Sequence, residues 1–135
     1  MPLLAVYGTL RRGLVGHKLM RSCRFLWSGF VEIPYTMVVK DCIPYLVPCE
    51  ELRRIFVEIY DVPTDVMKLL DNYEEVPEEY VRVTLYLHPY GFAYIYIASR
   101  RVDGEVVEHG DYLAYACQRC LHLVEDQRLC IDLPG

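Results

Sequence analysis

Two stretches in the second half of the chain alternate strictly. Tyr80-Val81-Arg82-Val83-Thr84-Leu85-Tyr86-Leu87 sets Val81, Val83, Leu85 and Leu87 on one face, and Phe92-Ala93-Tyr94-Ile95-Tyr96-Ile97 repeats the pattern. Period two marks a half-buried strand. His88-Pro89-Tyr90-Gly91 between them is a turn, so the pair predicts an antiparallel hairpin. Arg53 to Tyr60 alternates in the same way, with Ile55, Val57 and Ile59 together. Arg24 to Val39, aromatic and β-branched and punctuated by Gly29 and Pro34, predicts two strands. Asp41 to Cys49 carries Pro44 and Pro48, which forbid a central strand and predict an extended segment at a sheet edge.

Helical spacing takes over at Val66, Leu69 and Leu70, predicting a helix of about three turns that runs to Tyr73 and is ended by Glu74 to Glu79. A second helix is predicted through Leu121 with Asp111 as its N-cap. Gly16 to Ser22 reads as a short helix or turn, and Val102 to Glu108 as an exposed excursion turning at Asp103-Gly104. Near the start, Leu3-Leu4-Ala5-Val6 is apolar and too short for a helix; it reads as a strand that breaks at Tyr7-Gly8 into Thr9-Leu10-Arg11-Arg12-Gly13. A glycine there lets backbone approach a ligand closely, and the N–H groups of Gly8, Thr9 and Leu10 are candidates to face one anionic group.

Composition narrows the class. At 135 residues, 53% hydrophobic and 24% charged, the chain is expected to form a single globular domain over residues 1–135 that needs no staples. A net charge of −5 with scattered basic residues argues against nucleic acid as a partner. No apolar run approaches the ~20 residues of a membrane span, and the expected location is the cytoplasm. Six cysteines leave two readings open: free buried thiols, or a disulfide with Cys42–Cys49 as the local candidate. A single asparagine, Asn72, and two glutamines, Gln118 and Gln127, are a thermophile trait.

Cys117-Gln118-Arg119-Cys120 has the spacing of half a zinc site, but no second pair completes it, so helical packing is the expectation and no metal is assigned. The histidines sit in turns or on helix surfaces with no nucleophile beside them. The acidic run Asp71 to Glu79 is more informative. Glu74 follows Leu70 at i+4, on the apolar side of the first helix, and a carboxylate turned toward a core is raised in pKa toward the range useful for proton transfer.

Together these stretches resemble the γ-glutamyl cyclotransferase-like family, including its γ-glutamylamine cyclotransferase and avirulence-induced-gene branches. The likeness rests on Tyr7-Gly8-Thr9-Leu10, Ile43-Pro44-Tyr45-Leu46-Val47, Leu70-Asp71-Asn72-Tyr73-Glu74, Tyr80-Val81-Arg82 and Gly110-Asp111-Tyr112, in that order. One position departs: the family usually follows its catalytic glutamate with glycine, and here stands Glu75. Either the backbone there does not need a positive φ, or the loop is set differently, and a second carboxylate would raise Glu74 further.

The resemblance implies an α+β fold, a small, mixed, mainly antiparallel β-barrel, closed or nearly closed, with short helices outside and a cavity at one end. It implies release of 5-oxoproline when the α-amine of a γ-glutamyl amine, amino acid or peptide attacks its own γ-carbonyl, with no cofactor. Glu74 would move the proton, Tyr7, Tyr45 and Tyr80 would wall the substrate, and the Gly8 to Leu10 amides would hold a carboxylate or oxyanion. Arg82 is a further substrate-binding candidate, with anchoring of the loop and simple exposure as its alternatives. A binding or structural protein on the same barrel, as monomer or homodimer like the enzyme, is the competing expectation.

Overall fold

A computed structural model describes residues 2–131. Among these, one mixed sheet holds six strands, β1 (Leu3–Val6), β2 (Arg24–Lys40), β3 (Ile43–Asp61), β4 (Tyr80–Leu87), β5 (Gly91–Ala98) and β6 (Glu105–Val106). Helices α1 (Thr64–Tyr73) and α2 (Tyr112–Arg119) pack against it. The strand order is β4-β5-β1-β3-β2-β6, with β1 parallel to β5 and the other pairs antiparallel. The sheet curls into a half-barrel in which the Glu32 N–H of β2 donates to the His88 carbonyl just beyond β4, at 2.9 Å.

The strand β1 lies at the centre, which explains why it is an unbroken apolar run and does not alternate. A strand covered on both faces has no solvent side to make polar. Ala5 and Tyr7 join the interior with Val31, Ile55, Ile59 and Ile95, while Leu4 and Val6 meet α1 through Val66, Met67 and Leu70. Leu69, expected on that buried stripe, is instead exposed.

Two expectations need correction. Arg24 to Val39 is one strand and not two: Pro34 produces a register shift between Ile33 and Tyr35 without ending the pairing. The proline segment and Arg53 to Tyr60 likewise belong to the single strand β3. Because β1 pairs only with Glu58 to Asp61, the arm around Pro44 and Pro48 is bonded to β2 alone, and it is an edge as its prolines require. The excursion after Val102 contributes the short edge strand β6 against Val38 and Val39.

Cysteine pairing also differs from the local candidate. Cys42 at the β2–β3 turn is joined to Cys120 at the end of α2, and Cys117 to Cys130, leaving Cys23 and Cys49 free. Cys42 and Cys120 are 78 residues apart in sequence, a partner that spacing cannot reveal. Gly110, with φ +73°, passes so close to β3 that a Cβ there would overlap the Arg54 carbonyl; its own carbonyl accepts from the Phe56 N–H at 2.8 Å.

The turn after β1 is held by a buried cation. Arg11, 3% exposed, donates from Nη1 to Asp111 at 2.8 Å, lies beside Glu58 at 3.5 Å and covers the Phe56 ring. Glu58 also accepts from the Arg12 N–H and from Tyr60 Oη, each at 2.9 Å. Removing the cation leaves two carboxylates without their partner. Arg11→Ala is therefore expected to lower unfolding stability by about 3 kcal/mol, read by chemical denaturation.

Candidate active site

Five stretches of chain meet around a cavity of about 380 Å³ beside β1. Tyr7, Gly8, Thr9 and Leu10 come from the end of β1 and its turn, Pro44 and Tyr45 from the edge arm of β3, and Glu74 and Glu75 from the end of α1. Tyr80 opens β4, and Tyr96 comes from β5. The residues expected to wall a ligand are thus assembled, with the exception of Arg82. Arg82 grips Asp71 through Nε and Nη2, at 2.9 and 3.1 Å, and covers the Tyr94 ring outside the lining. Its place is that of an anchor for α1.

The turn at Gly8 is shaped by the opposite wall. A Cβ on Gly8 would stand 2.8 Å from Pro44 Cγ, so glycine here admits close approach of the β3 arm. The Gly8 carbonyl accepts from the Arg11 N–H at 3.0 Å and the Thr9 carbonyl from Gly16 at 2.9 Å. Among the described residues, the N–H groups of Gly8, Thr9 and Leu10 make no hydrogen bond within the protein. Donors beside a cavity without an internal acceptor are available to a ligand.

The opposite side is formed by the end of α1. Glu74 is the C-cap of α1, its N–H donating to the Leu70 carbonyl at 2.9 Å. Next, the Glu75 N–H donates to the Asn72 carbonyl at 3.1 Å and the Val76 N–H to Asp71 at 3.0 Å, with Glu75 at φ +54°. This is a Schellman ending, whose left-handed position is usually glycine and costs other residues ~1 kcal/mol. The positive φ is therefore retained in this chain despite Glu75. Burial, with the Glu75 charge as the second cause, pushes the Glu74 carboxyl up to about 7.

The aromatic walls are fixed by their hydroxyls. Tyr45 and Tyr80 stack at 4.8 Å and 11°; Tyr80 Oη donates to the Pro44 carbonyl at 2.5 Å, and Tyr7 Oη to the Tyr96 carbonyl at 2.8 Å. Tyr45 Oη donates to Glu79 at 2.9 Å and Tyr96 Oη to Asp71 at 2.7 Å. Burial raises Tyr7 and Tyr80, with nearby carboxylates adding to it, and Tyr45 is pushed up to about 12, again first by burial. These phenols stay protonated and act as donors and walls.

Sequence reading missed Tyr73, Glu79 and Tyr96 in the lining. Tyr96 shares a strand face with Tyr94, which pairs with Leu4 of β1, so its alternation carried the signal once β5 was known to lie beside β1. Tyr73 Oη bonds Thr9 Oγ1 at 2.8 Å, tying the two halves of the site, a contact no local pattern announces. No group of three or more His, Cys, Asp or Glu residues is placed to hold a metal ion among the described residues.

The sequence is matched over residues 4–114 by the family model "Gamma-glutamyl cyclotransferase, AIG2-like". A Methanocaldococcus jannaschii protein, provisionally named a γ-glutamylcyclotransferase, is 33% identical over 85% of this chain and 98% of its own. The human γ-glutamylaminecyclotransferase is 33% identical over 63% of this chain and 61% of its own. Among solved structures, an uncharacterized Pyrococcus horikoshii protein superposes with TM-score 0.75 at 24% identity, covering 90% of this chain and 98% of that one. An AIG2-like protein of Mus musculus gives TM-score 0.69 at 25% identity, over 92% and 94% of the two chains.

The raised Glu74 has a stability consequence. Its folded-state value, about 7, lies above the 4.5 of an ordinary glutamate, so the native state holds this proton more tightly than the unfolded chain. That contribution is complete below about 4.5 and is lost as pH rises through about 7. Glu74→Gln, which cannot ionise, is expected to raise Tm relative to the parent at pH 8 and to bring little change at pH 4.5, measured by calorimetry at both values.

Proposed function

The chain belongs to the γ-glutamyl cyclotransferase, AIG2-like family, and from that premise we propose that its cavity closes a γ-glutamyl group into 5-oxoproline and expels the attached amine. The observation that carries this reading is the sharing of one cavity by a part-buried carboxylate titrating near neutrality and a turn with three unengaged N–H groups.

In the proposed reaction, the Glu74 carboxylate takes a proton from the α-ammonium, freeing the nitrogen lone pair. That nitrogen attacks the γ-carbonyl carbon, forming the ring C–N bond and a tetrahedral oxyanion. The carbonyl then re-forms as the bond to the leaving amine breaks and protonated Glu74 gives its proton to that nitrogen; the carboxylate so regenerated takes the remaining extra proton from the ring nitrogen and passes it to the departing amine, which leaves as an ammonium. A base and acid with a value near 7 suits these transfers. The N–H groups of Gly8 to Leu10 would meet the α-carboxylate or the oxyanion. Tyr7, Tyr45 and Tyr80 would keep the chain of the substrate bent, since closure of a five-membered ring is limited by orientation.

The competing reading, a binding protein without turnover, drew its support from Glu75 in the glycine position. The retained left-handed backbone at Glu75 removes that ground, because the end of α1 keeps the conformation a glycine would give it. The decisive measurement is 5-oxoproline release from a panel of γ-glutamyl amines, amino acids and peptides. Glu74→Gln, shown folded by circular dichroism, is expected to lose at least about 10²-fold in kcat/KM. The parent's acidic limb should have its midpoint near 7, rising as Glu74 deprotonates. Full activity in the variant would remove Glu74 from the reaction.

A further inference from the structure

The arm that closes one side of the cavity is tethered from outside it. Ile43, Pro44 and Tyr45 line the cavity, and this end of β3 is bonded to β2 alone. The turn before it, Asp41-Cys42, has φ values of +51° and +67°. A two-residue hairpin turn of this hand favours Asn-Gly, so a cysteine there is held against its backbone preference. What holds it comes from α2: the Cys42–Cys120 disulfide, and the Tyr112 hydroxyl, which donates to the Cys42 carbonyl.

A second disulfide stands next to the first. Cys117, in the last turn of α2, is joined to Cys130 in the turn Gln127–Cys130. The helical course continues to Cys120, whose N–H donates to the Ala116 carbonyl at 2.8 Å. Three residues of helix place the Cys117 and Cys120 Cα atoms roughly 5 Å apart, a span a disulfide bridges. Cys117 and Cys130 are part-exposed and Cys120 is fully buried, so a thiol within the protein reaches the Cys120 sulfur more readily than one from solvent.

We propose that Cys117 relays thiol–disulfide exchange to Cys120, and so frees the cavity arm when the protein meets a dithiol reductant. The dithiol reduces Cys117–Cys130 and closes its own disulfide. The Cys117 thiolate then attacks Cys120, forms the Cys117–Cys120 bond and expels Cys42 as a thiolate, which takes up the proton Cys117 released. Two electrons and two protons have then passed from the dithiol to Cys130 and Cys42. Ile43 to Tyr45 keep their pairing to β2 but lose the covalent tie to α2, and the fraction of time the arm is closed falls. Apparent affinity for a ligand falls with that fraction. The relay rests on the cysteines alone; its meaning as control of turnover rests on the cyclisation reading.

Cys130→Ser leaves Cys117 as a thiol beside the Cys42–Cys120 bond with no reductant present. Incubated near pH 8.5, where an ordinary thiol is about half ionised, and treated with dilute iodoacetamide, it is expected to carry label at Cys42 by peptide mapping. Cys23 and Cys49 are free throughout and are labelled in every variant. For an arm closed about a tenth of the time, amide hydrogen exchange over residues 43–48 becomes at least about tenfold faster and KM for γ-glutamyl substrates about tenfold higher. The double variant Cys117→Ser/Cys130→Ser has lost the same staple but cannot relay; it should keep Cys42 unlabelled and hold exchange and KM at the parent's values. The parent treated with one equivalent of dithiothreitol should yield the Cys117–Cys120 bond, with thiols at Cys42 and Cys130. Label at Cys117 and never at Cys42 in Cys130→Ser, or Cys42 freed equally in the double variant, would overturn the relay. Unchanged exchange over residues 43–48 where Cys42 is free would overturn the coupling to the arm. Absence of 5-oxoproline from the parent with every γ-glutamyl compound would overturn cyclisation, while labelling and hydrogen exchange still decide the relay.

Discussion

The turn that carries the unengaged amides depends on a buried cation. Arg11 reaches Asp111 and Glu58, and so joins the turn after β1 to the middle of the sheet and to the start of α2. Asp111 also accepts from the Leu113 and Ala114 N–H groups as N-cap of α2, so one carboxylate serves a helix and a guanidinium together. Buried ion pairs contribute little net stability against an apolar alternative, but they punish every arrangement that leaves one member unpaired. Here that penalty specifies the path of the turn: with Arg11 drawn behind the sheet, Gly8 to Leu10 are left along the cavity wall.

The opposite wall is specified by a second polar clamp of different character. Asp71, in the last turn of α1, takes both nitrogens of Arg82 and the Tyr96 hydroxyl. Burial alone would raise its carboxyl, but the hydrogen bonds and the guanidinium charge outweigh burial and hold it below the usual range. Glu74 lies three residues on, without a cation, and moves the other way. Two carboxylates on one helix end thus have their proton affinities moved in opposite directions by their neighbours, Asp71 in anchoring contacts and Glu74 without them.

Local patterning made most of the strands legible. Alternation in Tyr80 to Leu87 and Phe92 to Ile97 located β4, β5 and their hairpin, and Asp111 was recognisable as a cap from its type and place. Errors arose where a tertiary partner overrode a local signal. Pro34 looked like a strand end, but pairing on both sides carried β2 through it; Cys42 looked closest to Cys49, but the fold brought Cys120 to it. Arg11 and Arg82 illustrate the limit for charges, since sequence shows a cation and not which carboxylate the fold will set against it. Glu74 was legible because i+4 spacing from a buried leucine is itself a statement about direction. Glu79 was not, because it faces the cavity through the course of a loop and not through a periodic pattern, and Tyr73, at i+3 from Leu70 in the last turn of α1, was passed over although the helix places it.

Among the described residues neither Glu74 nor Glu75 has an ion-pair partner, and their mutual repulsion bears on the chemistry open to the site. Glu74 titrates near 7 because water is partly excluded and because Glu75 repels its charge. The same repulsion is relieved when a cation enters, so a positively charged ligand would both bind and lower the proton affinity of Glu74. In the proposed cyclisation that coupling would run in the useful direction for a base, since an α-ammonium arriving beside Glu74 would favour the carboxylate form. Once that proton had moved, the ammonium would be gone and the affinity of Glu74 would rise again toward its resting value, which the proposed return of the proton to the departing nitrogen requires. An ordinary solvated glutamate would lack this swing. Its origin lies in the ending of α1, where a left-handed Glu75 keeps a second negative charge beside the first at the expense of backbone strain a glycine would not carry.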